Sequence, residues 1–304
     1  MKWRLTMAGV LGLAAVPMPA QAAAAVDVVA AVQRLQAEGR AAKIFQYTAA
    51  DWPYDPRYAE MPRGYCKGGD EDPRMTGTMR LGPGGVVAAD MTRMLTFGNC
   101  RQQFLRDDAA GGDPRAAEFL KVGTGSHQVR SVGGVLYGAG PAYGGKSWMK
   151  LGSAPHSAAL YGDQIIDAFD LGTLKALVAS ASMNKAGGTV HDADDRAVKK
   201  TWSYRGTITF SRLFKVSKPF RHMLGGRLNP KYGGITIHWG IATDMSGKPI
   251  VVQAVWRPGE GFPLQAATVA TRFSWDVNVS IKAPRVSGKA RDPYGDDVID
   301  LFRS

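Results

Sequence analysis

Cysteine is nearly missing from this chain, with Cys66 and Cys100 the only two among 304 residues. There is no Cys-x-x-Cys, so a thioredoxin-type redox pair is excluded. Histidine is also sparse. His127, His156, His191, His222 and His238 are scattered, and none has a second ligand at the close spacing of a zinc motif. A Gly-x-Ser-x-Gly elbow, a Walker loop and a dinucleotide fingerprint are all absent, which removes the commonest sequence-legible hydrolase, nucleotide and hydride-transfer sites. No block of five or six like charges occurs, and no apolar run beyond the N-terminus approaches the length that spans a bilayer. No cofactor is expected, and nucleic acid is not an expected partner because no recognition module is present.

The N-terminus has the pattern of a secretory leader over residues 1–24. Lys2 and Arg4 provide positive charge, Leu5 to Val16 a short apolar run, and Ala20-Gln21-Ala22 a small-x-small cleavage site. No cysteine lies there to carry a lipid anchor. Without Lys2 and Arg4, 36 basic residues face 26 acidic ones, a net charge of +10. The expectation is a soluble, secreted or extracytoplasmic protein with no transmembrane segment in the mature chain. Its dispersed positive charge suits transient contact with an anionic membrane or cell-wall surface.

Val26 to Gln36 has the apolar spacing of a short amphipathic helix, and Ala42 to Thr48 reads as a strand. Thr76 to Leu81 and Val86 to Phe97 flank Gly82-Pro83-Gly84-Gly85, a hairpin. Cys66 and Cys100 each lie 17 residues from Pro83. Simple antiparallel register would bring them together near the open end of that hairpin. In an oxidising compartment this predicts a structural disulfide worth about 3–4 kcal/mol by chain entropy. Asp107 to Pro114 reads as a linker or turn. Ser126 to Val132 and Val135 to Gly138, joined by Gly133-Gly134, predict a second hairpin, and Ser147 to Leu151 a short strand.

Between Asp163 and Met183 the apolar period changes to three or four, with Ile165, Ile166, Phe169, Leu171, Leu174, Leu177 and Val178 predicting a broken helical pair capped at Asp170. Trp202 to Phe210 returns to a strand pattern. Ser211 to Arg227 is basic, and Pro219 limits it to two short helical pieces. The clearest β region is Gly234 to Pro284. There Ile235, Ile237, Trp239 and Ile241 alternate with Thr236, His238, Gly240 and Ala242, and further strands are expected at Pro249 to Trp256, Leu264 to Trp275 and Val277 to Ala283. These elements predict an α+β fold with one large antiparallel sheet and helices on one face. The acidic run around Asp192, Asp194 and Asp195 reads as a solvated turn. Asp292, Asp296, Asp297 and Asp300 lack the ordered spacing of an EF-hand.

Val129 to Tyr137, followed by Trp148-Met149-Lys150-Leu151, resembles the hairpin and strand of actinobacterial relatives of the LolA/LppX/LprG half-barrel proteins. The likeness extends through Asp170 to Val178, Tyr204 to Thr207, Leu264 to Thr271 and Val279 to Pro284. It implies a strongly curved antiparallel half-barrel wrapped around helices. The single domain would cover residues 25–284, with a disulfide-bearing insertion near 51–100 and a polar tail over 285–304. It also implies an apolar cavity for a lipid or other hydrophobic ligand. On that expectation the cavity residues are Ile165, Ile166, Phe169, Leu174, Ile237, Trp239, Ile241, Val252 and Trp256. The alternatives are a cell-envelope interaction or sensor domain in which these side chains simply fill the core, and a secreted hydrolase.

Overall fold

The structure is a computed structural model that describes residues 26–51, 57–62, 65, 71–122, 125–153, 164–257 and 266–290. The expected leader, most of the insertion between Asp51 and Asp72, Cys66, and the residues beyond 290 lie outside this set.

The chain begins with α1 (Val28–Ala37), β1 (Ala41–Asp51), α2 (Arg57–Glu60) and the long hairpin β2 (Glu71–Gly82) and β3 (Gly85–Phe97). Helices α3 (Asn99–Ala110) and α4 (Pro114–Val122) precede β4 (His127–Val132), β5 (Val135–Gly140) and β6 (Gly145–Ser153). Then follow α5 (Leu171–Ala179), β7 (Met183–Gly187), the small pair β8 (Val190–His191) and β9 (Ala197–Val198), and β10 (Thr201–Thr209). Helices α6 (Phe210–Val216) and α7 (Lys218–Met223) lead into β11 (Thr236–Asp244), β12 (Pro249–Trp256), β13 (Ala266–Trp275) and β14 (Val286–Lys289).

Twelve of these strands form one sheet in the order β14-β6-β5-β4-β3-β2-β1-β13-β12-β11-β10-β7. Its middle is the pairing of β1 with β2 on one side and β13 on the other, which brings the chain's first strand against its last long one. The expected strongly curved antiparallel half-barrel is therefore corrected. The sheet is open, with β14 and β7 as unjoined edges, and it is mixed, because β14 runs parallel to β6. That parallel pair has a simple cause: after β13 the chain crosses from the middle of the sheet to its far edge before pairing again.

One face is apolar by period-two alternation. Ile237, Trp239 and Ile241 of β11 point inward with Val252, Ala254 and Trp256 of β12 and Val269 and Phe273 of β13, while Thr236 and His238 are exposed. Helices α1, α5, α6 and α7 supply the opposing layer through Val32, Leu35, Leu174, Leu177, Phe210, Leu213 and Phe220. A second small core lies toward the β6 edge, where Leu95 and Tyr143 pack with Phe119 and Leu151.

Three local expectations change. Asp107 to Ala110 continues α3 rather than forming a linker. Val277 to Ala283 keeps its alternating exposure, with Ile281 buried, but joins no ladder; Arg130 donates to the Lys282 carbonyl instead. The register argument for a cysteine pair also fails. The β2–β3 ladder ends at Glu71 opposite Phe97, and Cys100 sits in the first turn of α3 rather than on a continuing strand. Cys100 is buried and is not a free thiol. Its expected partner Cys66 is outside the described residues.

Candidate functional site

The segment from Gln164 to Asp170 lies against the apolar face of the sheet, and its first half is not helical as the spacing predicts. Side chains take the backbone donors that a helix would use. Gln164 Oε1 accepts the Ile166 N–H at 3.1 Å, and Asp167 Oδ1 accepts the Phe169 and Asp170 N–H groups at 2.8 and 3.2 Å. Gln164 Nε2 donates to Thr271 Oγ1 at 3.0 Å and to the Val252 carbonyl at 3.3 Å. Thr271 Oγ1 also accepts Gln46 Nε2 at 3.0 Å. Gln36 Nε2 donates to the Phe169 carbonyl at 2.6 Å. This buried polar seam fixes the segment to β1, β12, β13 and α1.

Asp167 stands out in that seam. It is 1 % exposed, and its Oδ2 has no hydrogen-bond partner among the described residues. Burial pushes its carboxyl up to about 7 against the opposing effect of the Phe169 N–H, and the nearby Asp170 charge pushes in the same direction as burial.

All nine residues expected to line a ligand cavity fall in one cluster, none more than 3 % exposed. Ile165, Ile166 and Phe169 come from the non-helical segment, Leu174 from α5, and Ile237, Trp239, Ile241, Val252 and Trp256 from the sheet. Phe169 meets Phe273 edge-on at 5.2 Å and Trp275 at 6.0 Å. Phe210 sits between Phe220 at 5.5 Å and Trp256 at 6.4 Å. The sequence brings these residues together, and they pack against one another.

A cavity of about 400 Å³ opens beside this core, between the β2–β3 turn and the starts of α5 and α7. Gly84, Asp170, Leu171, Gly172, Lys218, Pro219 and His222 line it, and its wall is mostly apolar. Both helix starts are held by caps. Asp170 Oδ2 accepts Thr173 N–H at 2.8 Å and Thr173 Oγ1–H at 2.6 Å, and Ser217 accepts the Phe220 N–H at 3.2 Å. Pro219 occupies the first turn of α7, where its missing N–H costs nothing. The floor is thus Leu171 and Pro219, with the Lys218 ammonium and the His222 ring exposed at the rim. These residues were visible in the sequence only as a basic stretch and a helix cap. The usable signal was two capped helix starts, Asp170-Leu171 and Ser217-Lys218-Pro219, but nothing in either motif says that they meet.

Among the described residues, no group of three or more His, Cys, Asp or Glu side chains could hold a metal ion. The acidic run is a built turn instead. Asp192 Oδ1 accepts the N–H groups of Asp194 and Arg196 at 2.9 and 3.0 Å, and its Oδ2 accepts Arg196 Nε at 2.9 Å. Burial opposes ionisation of Asp192, but these donors and the Arg196 charge hold its carboxyl below the usual range. Lys43 binds Asp194 at 2.8 Å, and Arg272 reaches Asp195 at 3.3 Å, so the β8–β9 hairpin is strapped across the face of the sheet away from α5.

No family model and no curated protein matches the chain. Among solved structures, the chain is similar to a LolA superfamily protein from Nitrosomonas europaea, at 8% identity over 81% of this chain and 90% of that chain, with a TM-score of 0.24. This is a distant general likeness of fold, and it carries no argument about ligand or mechanism. No helix among the described residues is long and apolar enough to cross a membrane.

Proposed function

We propose that this protein is a soluble extracytoplasmic binding or carrier protein for a lipid or another hydrophobic ligand, and that it binds its ligand rather than transforming it. The observation that carries this reading is the mostly apolar cavity of about 400 Å³ at the α5–α7 mouth, with Lys218 and His222 at its rim. Its volume is within the range of small-molecule sites. Each methylene moved from water onto Leu171 and Pro219 contributes about 0.8 kcal/mol, so a short stretch of acyl chain supplies useful affinity without a charged clamp. Lys218 and the cations that follow it suit an acidic end group left at the surface. The segment from Ser211 to Lys231 has six Lys or Arg residues and no Asp or Glu.

Native mass spectrometry of the purified full chain tests this reading. The expected result is a discrete adduct of lipid mass that organic extraction removes and that returns when a long-chain fatty acid is added. A single unliganded mass before and after addition contradicts it. The close packing of the nine expected cavity residues favours a second reading, a cell-envelope interaction domain with a filled interior, and that second result is what it predicts.

A further inference from the structure

A second concavity, of about 650 Å³, lies where β11 begins and β12 ends. It is lined by Lys231, Gly234, Ile235, Thr236, His238, Val255, Trp256 and Arg257. The register explains why these residues converge. His238 is opposite Val255 and Ile237 opposite Trp256, so Thr236 and Arg257 extend the same two strand ends. The turn at Pro230–Tyr232 brings Lys231 across from them, with Asn229 Oδ1 accepting the Lys231 N–H at 3.1 Å.

The chemistry of the lining is one-sided. Lys231, Thr236, His238 and Arg257 are exposed donors, and no carboxylate is among the described residues of the wall. Among the described residues neither Lys231 nor Arg257 has a carboxylate partner; Lys231 lies 5.6 Å from the Tyr232 ring. Lys43 and Arg272 on the sheet, and Arg40 beside it, are by contrast paired with carboxylates. The one partly exposed apolar side chain of the wall is Val255; Ile235 and the wholly buried Trp256 lie behind it in the core. Gly234 leaves the groove open: a Cβ built there meets no atom within 4 Å.

We propose that this groove is a binding site for a phosphate monoester with an apolar or sugar body. Two cations and the Thr236 hydroxyl answer a dianion better than a single carboxylate, and the Arg257 fork matches phosphate geometry. The half-buried Val255 takes the body of the ligand. The site is separate from the α5–α7 mouth and shares none of its lining residues.

Calorimetric titration at low salt with glycerol 3-phosphate and phenyl phosphate tests the assignment, alongside flotation with phosphatidic acid or phosphatidylcholine vesicles. Saturable binding of the small esters without preference for phosphatidic acid assigns the site to a free metabolite. Binding of phosphatidic acid vesicles, competed by phenyl phosphate, assigns it to a lipid headgroup. In either case Lys231→Ala with Arg257→Ala should weaken binding at least tenfold, and Gly234→Leu should abolish it with an unchanged circular dichroism spectrum. Fatty-acid binding at the α5–α7 mouth should be the same in wild type and Gly234→Leu, so failure at one site is distinguishable from failure at the other. The proposal is overturned if none of these ligands binds, or if binding is equal in wild type, Gly234→Leu and the double variant.

Discussion

Asp167 accepts the backbone N–H of Phe169 at 2.8 Å while its other carboxylate oxygen is buried without a partner among the described residues. The first contact explains why this stretch is not helical, and the second makes the site sensitive to pH. With its carboxyl raised from 3.8 to about 7, the folded chain retains a proton that the unfolded chain has lost. The contribution to stability is therefore fully present below about pH 4 and falls as pH rises to about 7. At about 1.4 kcal/mol per unit, the effect amounts to a few kcal/mol. Urea unfolding of wild type and Asp167→Asn at pH 4.5, 6 and 8 should show the variant gaining on wild type as pH rises. A difference between the two that stays constant with pH would show that Asp167 is not a buried acid.

The buried seam predicts coupling between Gln164 and Thr271. Gln164→Ala removes two donors and orphans the Ile166 N–H, at an expected cost of about 2–4 kcal/mol. A double-mutant cycle with Thr271→Val should give an interaction of roughly 1 kcal/mol. Additive losses would mean that the 3.0 Å contact between them contributes nothing.

Gly77 is required by a close backbone approach within the long hairpin. A Cβ there would lie 2.2 Å from the Asp90 carbonyl oxygen and 2.7 Å from Met91 Cα. Neither atom can rotate away, so Gly77→Ala should cost at least about 3 kcal/mol, the upper end of overpacking penalties. At Gly188 a Cβ meets nothing within 4 Å, and Gly188→Ala should change stability by less than about 0.5 kcal/mol. Chemical denaturation of the two variants checks the contrast.

The β8–β9 strap depends on Asp192. Asp192→Ala should speed tryptic cleavage at Lys199 and Lys200 several-fold, with the rest of the chain digesting at the wild-type rate. An unchanged cleavage pattern would place the restraint in the Lys43 and Arg272 ion pairs alone.

Much of this architecture was legible where the sequence has a strong period. Ile237, Trp239 and Ile241 face the core as their alternation predicts, and the basic stretch forms two short helices that break at Ser217, with Pro219 in the first turn of α7. The turns at Gly84 and at Gly133-Gly134 close the two predicted hairpins. The failures have physical causes. Ile165, Ile166 and Phe169 have helical spacing, but Gln164 and Asp167 capture the backbone donors, a choice that apolar spacing cannot report. Val277, Val279 and Ile281 alternate as a strand does, yet side-chain packing rather than a ladder uses that alternation. The mixed character of the sheet follows from where β14 pairs, which four residues cannot announce. Leu171, Lys218 and His222 meet only through the tertiary fold.

The central claim is that the α5–α7 mouth takes a hydrophobic ligand. Fluorescence titration of the full chain with a dansyl-labelled long-chain fatty acid tests it most directly, comparing wild type with Leu171→Gln and with His222→Trp, which fills the rim from an exposed position. The account predicts saturable binding of one equivalent, weakened at least tenfold by either substitution while thermal unfolding stays near wild type. Binding that never saturates, or that is identical in all three proteins, would contradict it.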